Sequence, residues 1–228
     1  SDLIVLNLTH PMPATESEAD IEATTRVDAI CNRWFLDGLF KGGYPEDMLG
    51  PLGPHMPEGW QDDMGIVSAP MDWLGINYYT RALGAHAPGT PWPSLKEVEG
   101  PLPKTAMGWE IYPEGLEALL TRVHAQYTGS KGVPLYVTEN GMASDDAVTG
   151  GECGDGARVS YLNSHLAAVR SAIAGGVPVN GYFAWSLLDN YEWAYGYAKR
   201  FGIVHVDYET QTRTPKASYH AFAAALKG

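Results

Sequence analysis

Apolar strands alternate with amphipathic helices four times along the 228 residues. That pattern commits a chain to a parallel sheet covered by helices. The strand runs are Leu3 to Leu8, Met71 to Tyr79, Leu135 to Glu139 and Val179 to Leu187. The helical runs are Asp20 to Phe40, Glu114 to Tyr127, Ala157 to Ala174 and Lys216 to Leu226. In the first helix Ala23, Val27, Ile30 and Trp34 recur at helical spacing, Asp20 is the candidate N-cap, and Gly42-Gly43-Tyr44-Pro45 forms the stop. Gly129 is the expected end of the second helix. In the third, Val159, Leu162, Leu166, Val169 and Ile173 make an apolar stripe, with Asp155 as cap and Gly175-Gly176 as stop. Arg200 to Tyr208 and the turn from Glu209 to Thr214 read as a small β-hairpin.

Four strand–helix units can form an open sheet, or half of an eight-unit barrel, whose usual size is about 250 residues or more. The longest connections here follow strands, including the Pro/Gly-rich stretch from Ala87 to Pro103. That asymmetry favours a barrel with its working face at the strand C-termini. A composition of 45% hydrophobic and 11% aromatic residues supports one well-buried domain over residues 1–228.

The net charge of −12 removes two classes of partner. Nucleic-acid binding usually needs a basic face, and so does adhesion to an anionic membrane. No apolar run is long enough to span a bilayer, and no signal peptide is visible. The two cysteines, Cys31 and Cys153, are too few for a disulfide framework and have no metal spacing. A reducing, cytoplasmic location is expected, with no cofactor and no metal. The sequon Asn7-Leu8-Thr9 falls at a strand end and reads as a chance match. The first residue is Ser1 and Leu3 to Leu6 is already strand, so the chain opens in mid-strand and reads as cut or processed.

Chemistry concentrates at the strand ends. Pro134 to Thr138 is a short apolar run closed by Glu139, Asn140 and Gly141. A carboxylate at the C-terminal mouth of a barrel strand is where such folds act, so Glu139 is a candidate nucleophile. Alternation places Asn77 and Tyr79 on one face of their strand and turns Tyr78 toward the helices. Trp185, Glu192 and Trp193 form a second group. Aromatic faces stack on the C–H faces of sugar rings, and a carboxylate beside them grips hydroxyls by charge-assisted hydrogen bonds. Asp189 and Asp207 read as turn and hairpin carboxylates. The acidic loop from Ser144 to Gly154, with Asp145, Asp146 and Glu152, lacks calcium-loop spacing and reads as solvated.

Three strand ends carry Asp72-Trp-Leu-Gly-Ile-Asn-Tyr-Tyr79, Val137-Thr-Glu-Asn-Gly141 and Trp185-Ser-Leu-Leu-Asp-Asn-Tyr-Glu-Trp193. With Asn32-Arg-Trp-Phe-Leu-Asp37, Gly43-Tyr-Pro45, Met107-Gly-Trp-Glu110, Tyr112-Pro-Glu-Gly115 and Tyr197-Ala-Lys-Arg-Phe-Gly-Ile-Val204, they closely resemble glycoside hydrolase family 1, the β-glucosidase family. The likeness runs from end to end of the chain. It implies an α/β fold, the C-terminal half (fifth to eighth βα units) of a (β/α)8 TIM barrel. It also implies a retaining β-glycosidase acting through a covalent glycosyl-enzyme on Glu139, with Tyr79 as the nucleophile's partner. In the resemblance Asn77, Trp185, Glu192, Trp193 and Phe201 line the sugar site, and Trp109 is the platform for the leaving group. The substrate implied is an unphosphorylated β-glucoside or cello-oligosaccharide, because Glu192 would repel a phosphate dianion. A β-galactoside or β-fucoside preference is the alternative within the family. A non-catalytic carbohydrate-binding surface, or an inactive half barrel, is the alternative outside catalysis.

A retaining glycosidase needs two carboxyl groups roughly 5–5.5 Å apart. In this family the second belongs to an Asn-Glu-Pro tripeptide at the fourth barrel strand, and no Asn-Glu-Pro occurs in this sequence. The expected partner is therefore an N-terminal half carrying that acid/base.

Overall fold

The computed structural model describes residues 2–227. In chain order the elements are β1 Leu3–Asn7, β2 His10–Pro13, α1 Glu18–Asp28, a π turn Ala29–Arg33, α2 Trp34–Lys41, α3 Glu46–Leu52, α4 Met64–Val67, β3 Trp73–Asn77, β4 Arg81–His86 and β5 Leu95–Glu97. Then come α5 Pro113–Val123, β6 Leu135–Asn140, α6 Gly156–Ala174, β7 Val179–Ala184, β8 Val204–Val206, β9 Arg213–Pro215 and α7 Ala217–Ala225.

The four main strands form one parallel sheet in the order β1-β3-β6-β7. Each follows its predecessor through a helical crossover, as right-handed βα units require. The sheet's outer face packs on α2, α5 and α6 through Leu6, Leu74, Ile76, Tyr78, Leu135 and Val137. Tyr78 is fully buried on that side and donates its hydroxyl to the Tyr112 carbonyl, as alternation implied. The inner face carries Leu3, Val5, Trp73, Tyr136, Thr138 and Phe183. Gly75 sits among them because a Cβ there would press within 2.8 Å of Val5 and Thr138. Among the described residues no layer packs over this inner face: Leu3 is 45%, Val5 42% and Phe183 57% exposed. The apolar residues thus lie on both sides of the sheet, but only one side is packed.

Several expectations are corrected. The first helix is capped by Ser17, whose hydroxyl accepts from the Asp20 amide. Asp20 sits one turn inside and is bound by Thr15 and the His86 amide, which hold its carboxyl below the usual range. That helix is also broken by the π turn, which brings the buried Asn32 to the β1–β2 connection. Its amide accepts from the Thr9 N–H and donates to the Thr9 carbonyl. Left-handed Gly42 ends α2 as expected, whereas α5 runs on through a π turn and a 3₁₀ turn and is stopped by left-handed Gly132, not Gly129. The buried stripe of α6 is rotated from the apolar one. It contains Arg158, Tyr161, Leu162, His165 and Ala172, while Ile173 is exposed. Polar residues win the inward face there because each finds a buried partner. The stretch from Ala87 to Pro103 is not wholly irregular: Leu95–Glu97 pairs with β4, and β4 with β2, as a second three-stranded sheet.

His165 gives that rotated stripe a pH dependence. It is fully buried and stacked on Tyr161 at 3.8 Å, with Nε2 unpaired. Burial pushes its pKa down to about 4. The folded ring is neutral, whereas the unfolded ring titrates near its ordinary 6.5. Its contribution is therefore present above that value and lost as pH falls toward 4. His165→Phe should flatten the stability loss between pH 7 and pH 4.5 by about 2–3 kcal/mol in denaturant unfolding. The part due to His10 and His205, also lowered by burial, should stay.

Candidate active site

Strict alternation along β6 would send Leu135, Val137 and Glu139 to the helix side together. The first two do face the core. Glu139 does not, because the pairing of β6 with both neighbours slips after Val137. Ile76 pairs with Val137, but Asn77 pairs with Glu139. The extra residue is a bulge, a device that re-aims side chains beside active sites. It lets Thr138 donate to the Asn77 side-chain oxygen at 2.7 Å. It also lets Glu139 accept from the Tyr79 hydroxyl at 2.6 Å. Burial, and then the bond to Glu139, push the Tyr79 pKa upward, so the phenol stays a protonated donor.

The residues after Glu139 hold it there. Asn140 is fully buried on the helix side. Its amide donates to the Tyr78 carbonyl and the Tyr161 hydroxyl, and its oxygen accepts from Tyr182. Gly141 touches the end of β7: a Cβ there would lie 1.9 Å from the Trp185 carbonyl oxygen. The Trp185 amide in turn bonds the Asn140 carbonyl at 2.9 Å. Thr138 to Gly141 thus use four side-chain identities for four different contacts. Only the carboxylate was singled out from sequence.

Aromatic rings pack around Tyr79, the carboxylate's hydrogen-bond partner. Trp109 lies 5.4 Å and Phe201 6.1 Å from the Tyr79 ring, and 6.1 Å from each other. Trp109 rides on a turn whose base is the buried Glu110–Arg81 ion pair at 2.6 Å. That contact with Arg81 holds the Glu110 carboxyl below its ordinary range. An open cleft beside Tyr79 and Trp109 is bordered by Asn7, Thr9 and Cys31. Sequence reasoning did not place Cys31 there.

Glu192 and Trp193 sit on the loop that follows β7. The Glu192 pKa is raised, first by burial and then by the Glu139 charge, which puts the two carboxylates within electrostatic reach. Trp193 stands 80% exposed at the loop tip with φ of 44°. Trp185 is half-buried at the strand end, joined to Ser186 by a cis peptide. The structure therefore gathers Tyr79, Glu139, Asn77, Trp109 and Phe201 around one point. It leaves Trp193 facing solvent.

Two acidic residues, Asp146 expected in a solvated loop and Asp189 expected as a turn carboxylate, are buried in ion pairs. Asp146 and Asp189 are 3% and 0% exposed at their side chains, each ion-paired with Lys216. No local signal could reveal this, because the cation comes from the far end of the chain. Asp207 does cap its hairpin turn, accepting from the Glu209 and Thr210 amides. Among the described residues no cluster of three metal-ligating side chains occurs, and no helix is long and apolar enough to cross a membrane.

Comparison with known proteins places this arrangement. The chain is 43% identical to a beta-glucosidase A from Thermotoga maritima over 226 residues, covering 98% of this chain and 50% of that protein. A bifunctional beta-D-glucosidase/beta-D-fucosidase from Bifidobacterium breve is 41% identical, covering 88% and 47%. The solved family 1 b-glucosidase from Thermotoga maritima superposes with a TM-score of 0.94 over 99% of this chain and 50% of that one. The chain thus spans about half the length of the relatives it matches, and its four βα units are the C-terminal half of a (β/α)8 barrel. The sequence profile of glycosyl hydrolase family 1 matches residues 3–227. With a match of that extent at such identity, the chain belongs to glycoside hydrolase family 1.

Proposed function

We propose that residues 1–228 are one domain that supplies the nucleophile and most of the sugar cradle of a retaining β-glucosidase. The observation that carries this reading is the 2.6 Å bond from the Tyr79 hydroxyl to Glu139 at the mouth of a barrel strand. The bulge aims the carboxylate inward, and one oxygen is held by a phenol that remains a donor. The other oxygen is free to attack the anomeric carbon and form a covalent glycosyl-enzyme, which water then hydrolyses. As the glycosidic bond forms to Glu139, negative charge leaves the carboxylate. The Tyr79 proton steadies whichever oxygen retains it.

The acid/base carboxyl comes from an N-terminal half bearing Asn-Glu-Pro. The uncovered inner face with Leu3, Val5 and Phe183 is the surface that such a half would bury, and β1 and β7 are the edges it would pair. Glu192, close enough to Glu139 to feel its charge, grips sugar hydroxyls and disfavours a phosphorylated sugar. Trp109 meets the leaving group. The substrate class is an unphosphorylated β-glucoside or cello-oligosaccharide, with β-fucosides as the second candidate, given the bifunctional relative. The free Cys31 and Cys153 fit a cytoplasmic location.

The assembled barrel tests the mechanism. With an aryl β-glucoside followed by NMR, the first-formed sugar should be the β-anomer, which equilibrates afterwards. An α-anomer released first would overturn the retaining mechanism.

A further inference from the structure

We propose that Asp189 is a positioning residue for Glu192, acting through a buried network of charges that clamps the loop after β7; the inference rests on the reading of Glu192 as a sugar-binding group. The Asp189 side chain is fully buried and accepts four hydrogen bonds. They come from Arg200 Nη1 at 2.6 Å, Lys216 Nζ at 2.8 Å, the Gly202 amide at 3.0 Å and the Val206 amide at 3.3 Å. Asp189 stands three residues before Glu192, and Arg200 and Gly202 stand just beyond the loop's far end. One carboxylate therefore ties both ends of the segment that presents Glu192 and Trp193.

Between those ends Asn190 accepts from Ser186 and Lys199 donates to the Ala106 carbonyl at 2.5 Å, but the aromatic tip stands in solvent. Tyr191, Trp193, Tyr195 and Tyr197 are all more than half exposed. A ladder of rings runs back to the clamp. Tyr191 meets Tyr197 at 5.4 Å, Tyr197 meets Tyr208 at 4.5 Å, and the Arg200 guanidinium lies 4.7 Å from the Tyr208 ring. Arg200 is thus shared between the Asp189 carboxylate and the aromatic support of the tip. Phe201, its neighbour, packs on Tyr79 beside Glu139.

The network also reaches the nucleophile's own loop. Lys216, itself fully buried, bonds Asp146 as well as Asp189. Asp146 accepts from Arg158 Nη2 at 2.7 Å. Arg158 pairs with Asp155 and donates to the Met142 carbonyl at 3.2 Å and the Arg200 carbonyl at 2.8 Å. Asp146, Asp155 and Asp189 balance Arg158, Lys216 and Arg200, three charges against three. Buried ion networks contribute little to stability compared with apolar residues of similar size, because desolvation offsets their attraction. Their geometric exactness is what apolar packing does not supply. Here it fixes the distance between the loop after Glu139 and the loop bearing Glu192.

A double-mutant cycle in the assembled enzyme tests this. Asp189→Asn should lower kcat/KM for a β-glucoside about 30-fold when Glu192 is present, and less than about 3-fold when Glu192 is already Gln. Equal losses in both backgrounds would make Asp189 a general structural residue and overturn the proposal, as would no loss at all. If Asp189→Asn does not fold, Arg200→Gln loosens the same clamp from its partly exposed arm and should show the same non-additivity. Glu139→Gln is measured alongside. Retained turnover there would sink the reading of the site itself, whereas a dead Glu139→Gln with an additive Asp189 effect would sink only the clamp.

Discussion

Residues 1–228 by themselves should release no aglycone from an aryl β-glucoside above background, and a polypeptide carrying the Asn-Glu-Pro half should bring turnover back. The first half of this expectation follows from chemistry. Departure of the leaving oxygen is assisted by a proton, which in a retaining glycosidase comes from a second carboxyl roughly 5–5.5 Å from the nucleophile. General acid catalysis is worth about 10²–10⁴-fold, and the sugar contacts from the other half are missing as well. The second half follows from the uncovered inner face. Leu3, Val5 and Phe183 each keep more than two-fifths of their surface in water, and β1 and β7 present unpaired edges. Both are relieved when four further strands close the barrel. Mixing or co-expressing the two polypeptides should raise the rate by at least about 10⁴-fold over either one, read by released aglycone. Ordinary family-like turnover from these residues alone would show that a second carboxyl lies within them.

In the closed barrel, Glu139→Gln should cost about 10⁴–10⁶-fold in kcat while leaving sugar binding largely intact. The amide has the shape of the carboxylate but neither its charge nor its nucleophilicity, and Tyr79 can still donate to its oxygen. Glu139→Gly should be as inactive, but it vacates room for a small anion. Azide entering that space attacks the same face of the anomeric carbon, and the product is then the α-glycosyl azide. A purely carbohydrate-binding surface behaves otherwise: neither substitution changes turnover, since there is none, and binding persists. Rate and binding measured on the same variant separate the two readings.

The four βα units were legible because apolar strand runs alternate with longer helix-forming stretches and Gly42 and Gly175-Gly176 punctuate them. The candidate site was legible only as strand ends, since motifs such as Thr138-Glu139-Asn140-Gly141 lie contiguous in sequence. The bulge after Val137 was not legible. Nothing in the residue types of β6 distinguishes a slipped register from a regular one, yet the slip alone turns Glu139 away from the helices. The buried charges were equally hidden. Asp146 and Asp189 look like loop carboxylates until Lys216 arrives from the last helical unit. The rotated stripe of α6 failed for a related reason. Arg158 faces inward because carboxylates and carbonyls from other segments satisfy it, and His165 because Tyr161 of its own helix and Tyr78 of the sheet shield it, pairings that hydrophobic periodicity does not register.

The nucleophile itself is open to direct capture. A 2-deoxy-2-fluoro β-glucoside with a good leaving group slows both steps of the retaining reaction, the second more, so the glycosyl-enzyme accumulates. Incubated with the assembled barrel and digested, the protein should carry one fluoroglucosyl group on the peptide that contains Glu139, with activity lost in proportion. A label on any other carboxylate, or an active enzyme that takes no label, would contradict the assignment of Glu139.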